Sequence, residues 1–180
     1  MIISVAFGWS FSGILRSNDL ADNWHIRDFR ADDQAVVKAL INQGLAQRFG
    51  KLNASMNPDL HDIQRHYVDK DAVFIVMEDT ANDHAIIGCG ALIHENGSDA
   101  IARIVRVSVH EELQGHGLGR VISQQLITRA REKGYRRILV ETNDDWTSAL
   151  KLYQALGFVE VSRTPVPEHS YTEVNMALNL

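Results

Sequence analysis

From residue 24 onward the chain switches repeatedly between two-residue and helical spacing of its apolar positions. "WHIRDF" (24–29) alternates as a short strand does. "ADDQAVVKALINQGLAQRFG" then takes helical spacing, which sets Val36, Val37, Leu40, Ile41 and Leu45 on one side and offers Gly50 as a stop. "NPDLHDIQRHYV" (57–68) predicts a second helix, with Asn57 as cap, Pro58 at the first helical position, and Leu60, Ile63 and Tyr67 on one face. "AVFIVME" (72–78) and "AIIGCGALIHE" (85–95) are strand-like and joined by polar "DTANDH", so they predict a hairpin. "DAIARIVRVSV" (99–109) follows as a third antiparallel strand, but its alternation slips: Arg103 falls on the side of Val105, Val107 and Val109, while Arg106 and Ser108 face the other way. A β-bulge produces such a slip, and so does an exposed arginine at a strand edge; periodicity alone leaves both open.

Farther along, Leu118, Ile122, Leu126 and Ala130 recur every fourth residue, and Gly134 stands in the usual stop position. "RRILVET" (136–142) reads as a buried strand parallel to its predecessor, because a helix crosses over between them. "WTSALKLYQAL" is a shorter helix closed by Gly157, and "FVEVS" with "YTEVNMAL" predicts a last hairpin around "RTPVPEHS". The fold class is therefore α/β of the α+β kind: a mixed, mostly antiparallel sheet of about six or seven strands, with one parallel pair and about four flanking helices.

Composition narrows this picture. A chain of 180 residues is one domain by length, and its single cysteine, Cys89, excludes an internal disulfide framework and fits a reducing compartment. The net charge of −5 argues against a general nucleic-acid binder and is mildly compatible with cationic, amine-bearing substrates. The apolar start, "MIISVAFGWSFSGIL", lacks the positive charge of a secretory signal and is shorter than the roughly 20 residues of a membrane span. Residues 1–23 read as an extension, docked or poorly ordered, ahead of a single domain at 24–180, and a cytoplasmic protein without membrane contact is the default.

The chemistry concentrates in "SVHEELQGHGLGRVISQQL", where Gly115, Gly117 and Gly119 immediately precede or open a helix. Helix-start N–H groups are unpaired and carry partial positive charge, and glycine lets a phosphate approach the backbone. Gln114 can hydrogen-bond at the entrance, and Arg120 adds positive charge. No Gly-Lys-Ser/Thr follows, as a Walker loop requires, and the spacing is not that of the dinucleotide fingerprint. A plain turn with no ligand remains the alternative on the loop alone.

Gln114-Gly115-His116-Gly117-Leu118-Gly119 matches Q/R-x-x-G-x-G/A, and "ALKLYQALGF" (149–158) matches A-x-x-L-Y-x-x-x-G-F downstream. Together they resemble the GCN5-related N-acetyltransferase family, as does the order of elements over 24–180. The resemblance implies an acetyl-CoA-dependent N-acetyltransferase without metal, in which the parallel strands splay apart. Acetyl-pantetheine would enter the gap and pair with backbone groups of Val107 and Val109, the divergence starting from a bulge at 103–106. The pyrophosphate would rest on the amides from Gly115 to Arg120, with His116 and Leu118 among them. A neutral amine would attack the thioester directly, and Tyr153 would protonate the departing sulfur; a core aromatic is the alternative for Tyr153, since Trp146, Ala149, Leu150 and Tyr153 form a helical stripe.

The match has departures. Trp146 stands where many relatives have an asparagine facing the pantetheine arm; either Asn143 compensates or the helix start is shifted. No glutamate lies in 99–109, where several relatives keep a base. Glu78, Glu95, Glu141, His94 and His110 are candidates by location alone, and a water chain is a further route. Cys89, crowded in "GCGAL", is not expected to be a nucleophile. The first two helices and the loops around 50–57 and 163–170 are expected to select the acceptor, a small-molecule or protein amine. A homodimer is an expectation of the family only. A non-catalytic acyl-CoA-binding module on the same fold, and an interaction domain whose glycine loop is only a turn, are the competing functions.

Overall fold

The computed structural model describes residues 23–50, 57–167 and 170–180; the expected extension therefore lies, but for Asn23, outside the described residues. Among the described residues, seven strands form one sheet: β1 (Trp24–Asp28), β2 (Val73–Asp79), β3 (Ala85–His94), β4 (Ile101–Val109), β5 (Arg137–Asn143), β6 (Val159–Pro165) and β7 (Thr172–Asn179). Their order is β1-β2-β3-β4-β5-β7-β6, with β4 and β5 parallel and every other pair antiparallel. The helices are α1 (Gln34–Phe49), α2 (Ile63–His66), α3 (Leu118–Glu132) and α4 (Thr147–Ala155). The expected mixed sheet, its one parallel pair and its four helices are all present.

The core has two layers because the sheet is apolar on both faces. On one face α3 lays down Leu118, Ile122, Leu126 and Ala130, and α4 adds Tyr153, against Ile104, Ile138, Val140 and Met176. On the other, Val37, Leu40 and Ile41 of α1 pack with Leu60, Ile63 and Tyr67 over Phe74, Val76, Cys89 and Ala91. Each fully buried aliphatic side chain contributes about 1.5–3 kcal/mol. The glycines of "GCG" let α3 lie close on β3: a Cβ at Gly88 or Gly90 would stand 2.7 or 2.8 Å from Ile122. Among the described residues, no helix is long and apolar enough to cross a membrane.

Three expectations need correction. The helix expected over 57–68 is broken into a 3-10 turn at Pro58–His61, the single turn α2, and another 3-10 turn at Val68–Lys70. Asp62 causes the break: its backbone is extended (φ −153°, ψ 84°), and its carboxylate caps the restart at Arg65 N–H. The Asn57 side chain makes no cap; its oxygen accepts from Arg106 instead. Val36, expected on the apolar side of α1, is 40% exposed, because the stripe that meets the sheet runs through Val37, Leu40 and Ile41.

Candidate functional site

A cleft of about 720 Å³ opens where β4 and β5 part. The two strands pair only from Ile101↔Arg137 to Arg103↔Leu139, although β4 continues to Val109 and β5 to Asn143. The divergence follows from a bulge. Ala91 pairs with Val105 and Cys89 with Ser108, so β4 carries one extra residue opposite β3, and Arg106 takes a left-handed φ of 59°. Of the two explanations for the slipped alternation, the bulge is the one present, at 106, the last position of the expected 103–106. It also corrects the expected facing. Val105 packs in the α1 layer, whereas Val107 and Val109 pack against the α3 layer.

The glycine loop closes one end of the cleft. Gly115 and Gly117 have φ of 82° and 83°, and a Cβ at either would meet nothing within 4 Å, so conformation rather than crowding requires glycine there. Among the described residues, the amides of Gly115, His116, Gly117, Leu118 and Gly119 donate to no acceptor. The flanking amides are occupied: Gln114 N–H donates to Glu111 O, and Arg120 N–H to Gly117 O at 2.9 Å. The available donors thus number five and span 115–119, at the start of the 15-residue helix α3, whose dipole adds positive character. Exposed Arg120 adds a full charge at the rim of the cleft. The Gln114 side chain donates to Val109 O at 3.2 Å and to Gln47 Oε1 at 3.3 Å, so the Val109 carbonyl is already engaged.

Tyr153 packs as a core aromatic and also faces the cleft. Its ring is buried at 8% exposure and meets Phe158 edge-on, yet the residue lines the cleft and its hydroxyl has no hydrogen-bond partner among the described residues. Burial pushes the phenol up to about 12, so it stays protonated across the neutral range. Trp146 also lines the cleft, immediately before α4, with the Arg48 guanidinium 4.2 Å from its ring centre and Phe49 against its edge. His116 and Asn143 are not among the cleft-lining residues. Asn143 pairs with Glu173 of β7, and its carbonyl accepts from Trp146 N–H.

Of the candidate bases, Glu141 lines the cleft and the other four do not. Burial pushes its carboxyl above the ordinary range, and the like charge of Glu173 adds to this; Arg103, at 3.6 Å, offsets part of it. Glu78 is held by Arg27 at 2.5 Å and by His84; burial pushes it up, but those partners outweigh burial and leave it below its ordinary value. Glu95 is lowered by its hydrogen bonds to Arg103. His94 lies 3.7 Å from Asp99, and His110 donates its backbone N–H to Ile87 O. Burial pushes the Cys89 thiol up to about 12, which leaves it inert. Among the described residues, no group of three or more His, Cys, Asp or Glu side chains is arranged to hold a metal.

The first helix, expected to help select the acceptor, lines the cleft through Gly44 and Arg48, residues the sequence had not singled out. The signal was available: Gly44 sits inside a helix, where glycine costs about 1 kcal/mol relative to alanine.

Residues 34–158 match the model of the acetyltransferase (GNAT) family. The chain is 28% identical over 137 residues to "Probable N-acetyltransferase camello" of Xenopus tropicalis, covering 74% of this chain and 58% of that protein. It is 23% identical over 114 residues to N-acetyltransferase 8B of Homo sapiens, covering 63% of this chain and 50% of that one. The chain thus spans little more than half the length of these two relatives. A Salmonella typhimurium protein solved with its cofactor acetyl-CoA superposes with a TM-score of 0.74 at 20% identity, over 88% of this chain and 94% of that one, which shows a shared fold. A family model that takes in α1, the bulged strand, the glycine loop and α4 together covers well over half of the sequence, and the chain belongs to the acetyltransferase (GNAT) family.

Proposed function

We propose that this protein transfers the acetyl group of acetyl-CoA to an amine by direct attack within a ternary complex. The observation that carries the reading is the run of five donor amides, Gly115 to Gly119, at one end of a cleft held open by parting strands. A diphosphate presents several acceptor oxygens and two or more negative charges, which suit converging N–H groups at a helix start beside Arg120. The pantetheine arm would lie along β4, whose residues 104–109 have no strand on their β5 side. Val107 and Val109 line that edge; for Val109 to pair with the arm, the Gln114 amide must leave its carbonyl for the ligand. His116 contributes its backbone N–H alone, and Asn143, outside the cleft lining, is given no contact.

Holding amine and thioester together in near-attack geometry supplies much of the rate. Two protons then have to move. The acceptor ammonium loses one before it attacks, which Glu141 takes; a carboxyl shifted above its ordinary range is a better base than an unshifted one. As the carbon–sulfur bond of the tetrahedral adduct breaks, the Tyr153 hydroxyl gives its proton to the departing sulfur, and the phenolate recovers one from the adduct's positively charged nitrogen, which leaves a neutral amide. The acceptor is a small-molecule or protein amine. The test is thiol release from acetyl-CoA across a panel of small amines, amino acids and peptides with free lysine or N-terminal amines. Turnover with at least one class is expected. Tight acetyl-CoA binding with no release on any amine would leave the non-catalytic module as the better reading.

A further inference from the structure

Among the described residues, four non-glycine residues have left-handed φ: Asp71, Asp83, His84 and Arg106. Asp71, Asp83 and His84 lie between secondary-structure elements, and aspartate and histidine are the residue types that tolerate such a conformation best. Arg106 lies within a strand, where a long side chain at positive φ is costly and persists only when its surroundings enforce it. Its surroundings do. The guanidinium clasps Asp59 at two points, Nε to Oδ2 at 3.0 Å and Nη2 to Oδ1 at 2.7 Å. Nη1 donates to Asn57 Oδ1 at 3.0 Å, and Nε also reaches the Tyr67 hydroxyl at 3.2 Å. Tyr67 in turn donates to Asp59, and the Cys89 thiol covers the Arg106 carbonyl at 3.5 Å.

A bulge by itself needs no arginine. Glycine would take the same φ without strain, so the side chain must be explained by what it reaches. It reaches the stretch 57–59, where the chain returns from α1 towards α2, and α1 walls the cleft opposite β4. The bulge lies three residues beyond the last β4–β5 pair, at the root of the divergence.

We propose that Arg106 is a positioning residue with two tasks: it stabilises the bulge that parts β4 from β5, and it anchors residues 57–59 to that bulge so that the acceptor side of the cleft keeps its shape. This rests on the acetyl-transfer reading above. One side chain then ties the geometry of the acyl-donor slot to that of the acceptor wall.

The two tasks separate by substitution. Arg106→Gly keeps the bulge, because glycine accepts the φ, and removes the anchor. The expected result is a rise of about tenfold in KM for the amine, with acetyl-CoA affinity by calorimetry unchanged within about twofold. Arg106→Ala removes the anchor and leaves a strained residue, so acetyl-CoA affinity falls as well. Arg106→Lys retains a charge facing Asp59 but not the two-point contact, and it recovers part of the amine KM. Asp59→Asn leaves Arg106 in place and raises the amine KM in the same direction; it decides the matter should the Arg106 variants fold poorly. Amine KM unchanged in both Arg106→Gly and Asp59→Asn, or a rise matched by an equal loss of acetyl-CoA affinity, overturns the proposal. Hydrogen exchange reads the anchor without turnover: amides of 57–67 should lose protection in Arg106→Gly while α3 keeps its own, and unchanged protection overturns the anchor whatever the wild type's activity. A wild type that binds acetyl-CoA but acetylates no amine overturns the transfer reading and the acceptor half of this one.

Discussion

Tyr153 is a core residue by its ring and, in the proposed reaction, an acid by its hydroxyl, so removing the oxygen alone separates the two. Tyr153→Phe should lower kcat by about 10²-fold with acetyl-CoA affinity and melting temperature nearly unchanged, in steady-state kinetics and calorimetry. Because burial holds the phenol near 12, its loss as an acid would appear only at strongly alkaline pH. In the proposed reaction Glu141 governs the other limb. A base works when ionised, so kcat/KM should rise with pH through a Glu141 pKa above the ordinary carboxylate range, and Glu141→Gln should flatten that limb with a loss of about 10²-fold. The sign of the stability effect is opposite to that of a salt-bridged carboxylate. A raised pKa means that the folded state favours the protonated form, so this contribution is present at low pH and is lost as pH rises through the folded value. Glu141→Gln should therefore melt no lower than the wild type at neutral pH. Tyr153 was legible through the A-x-x-L-Y-x-x-x-G-F match, and the stripe of its helical neighbours marked its ring as a core group. Glu141 was one of five candidates, since no local pattern says which carboxylate faces a gap made by another strand.

At the scale of elements, the helix start of α3 and the strand β4 do most to shape the site. The Gly117 position is open, so a larger side chain there clashes with nothing in the protein itself. Its cost comes from a left-handed φ of 83° and from occupying space a ligand needs. Gly117→Leu should weaken acetyl-CoA binding by about tenfold or more, some 1.4 kcal/mol, with a smaller loss of thermal stability; calorimetry and melting curves check the two separately. Unaltered affinity would remove the loop from the donor site. The sequence located this loop, the every-fourth-residue stripe of α3 and the hairpin of β2 and β3, because each depends on neighbours a few positions apart. It erred on 57–68, where Asp62 interrupts the helix and Asn57 and Asp59 serve Arg106 instead.

For the whole molecule, the decisive feature is that a two-layered domain is kept open along one seam of its own sheet. The layers bear on both faces, and β7 inserts between β5 and β6, so β5 is supported on its far side where β4 leaves it. A ligand that fills the seam binds the folded state alone. Acetyl-CoA at 100 times its dissociation constant should stabilise the protein by about 2.7 kcal/mol, a rise of roughly 5–10 °C in melting temperature for a domain of this size, by scanning calorimetry or dye-based melting. No shift at millimolar acetyl-CoA would dispose of the donor site, and with it the proposed reaction.

What the chain determined by itself is what short-range chemistry encodes: strand and helix periods, glycines at positive φ, and a helix start able to hold an anion. Tertiary structure alone decided three things. It left the amides of 115–119 available while the protein took those of Gln114 and Arg120, it turned Glu141 towards the cleft, and it drew Arg106 onto Asp59. Each is a relation between groups placed by packing. Hydrogen-bond satisfaction, burial and ion pairing depend on distance in space, and a one-dimensional pattern carries that information only when the partners are also near in sequence.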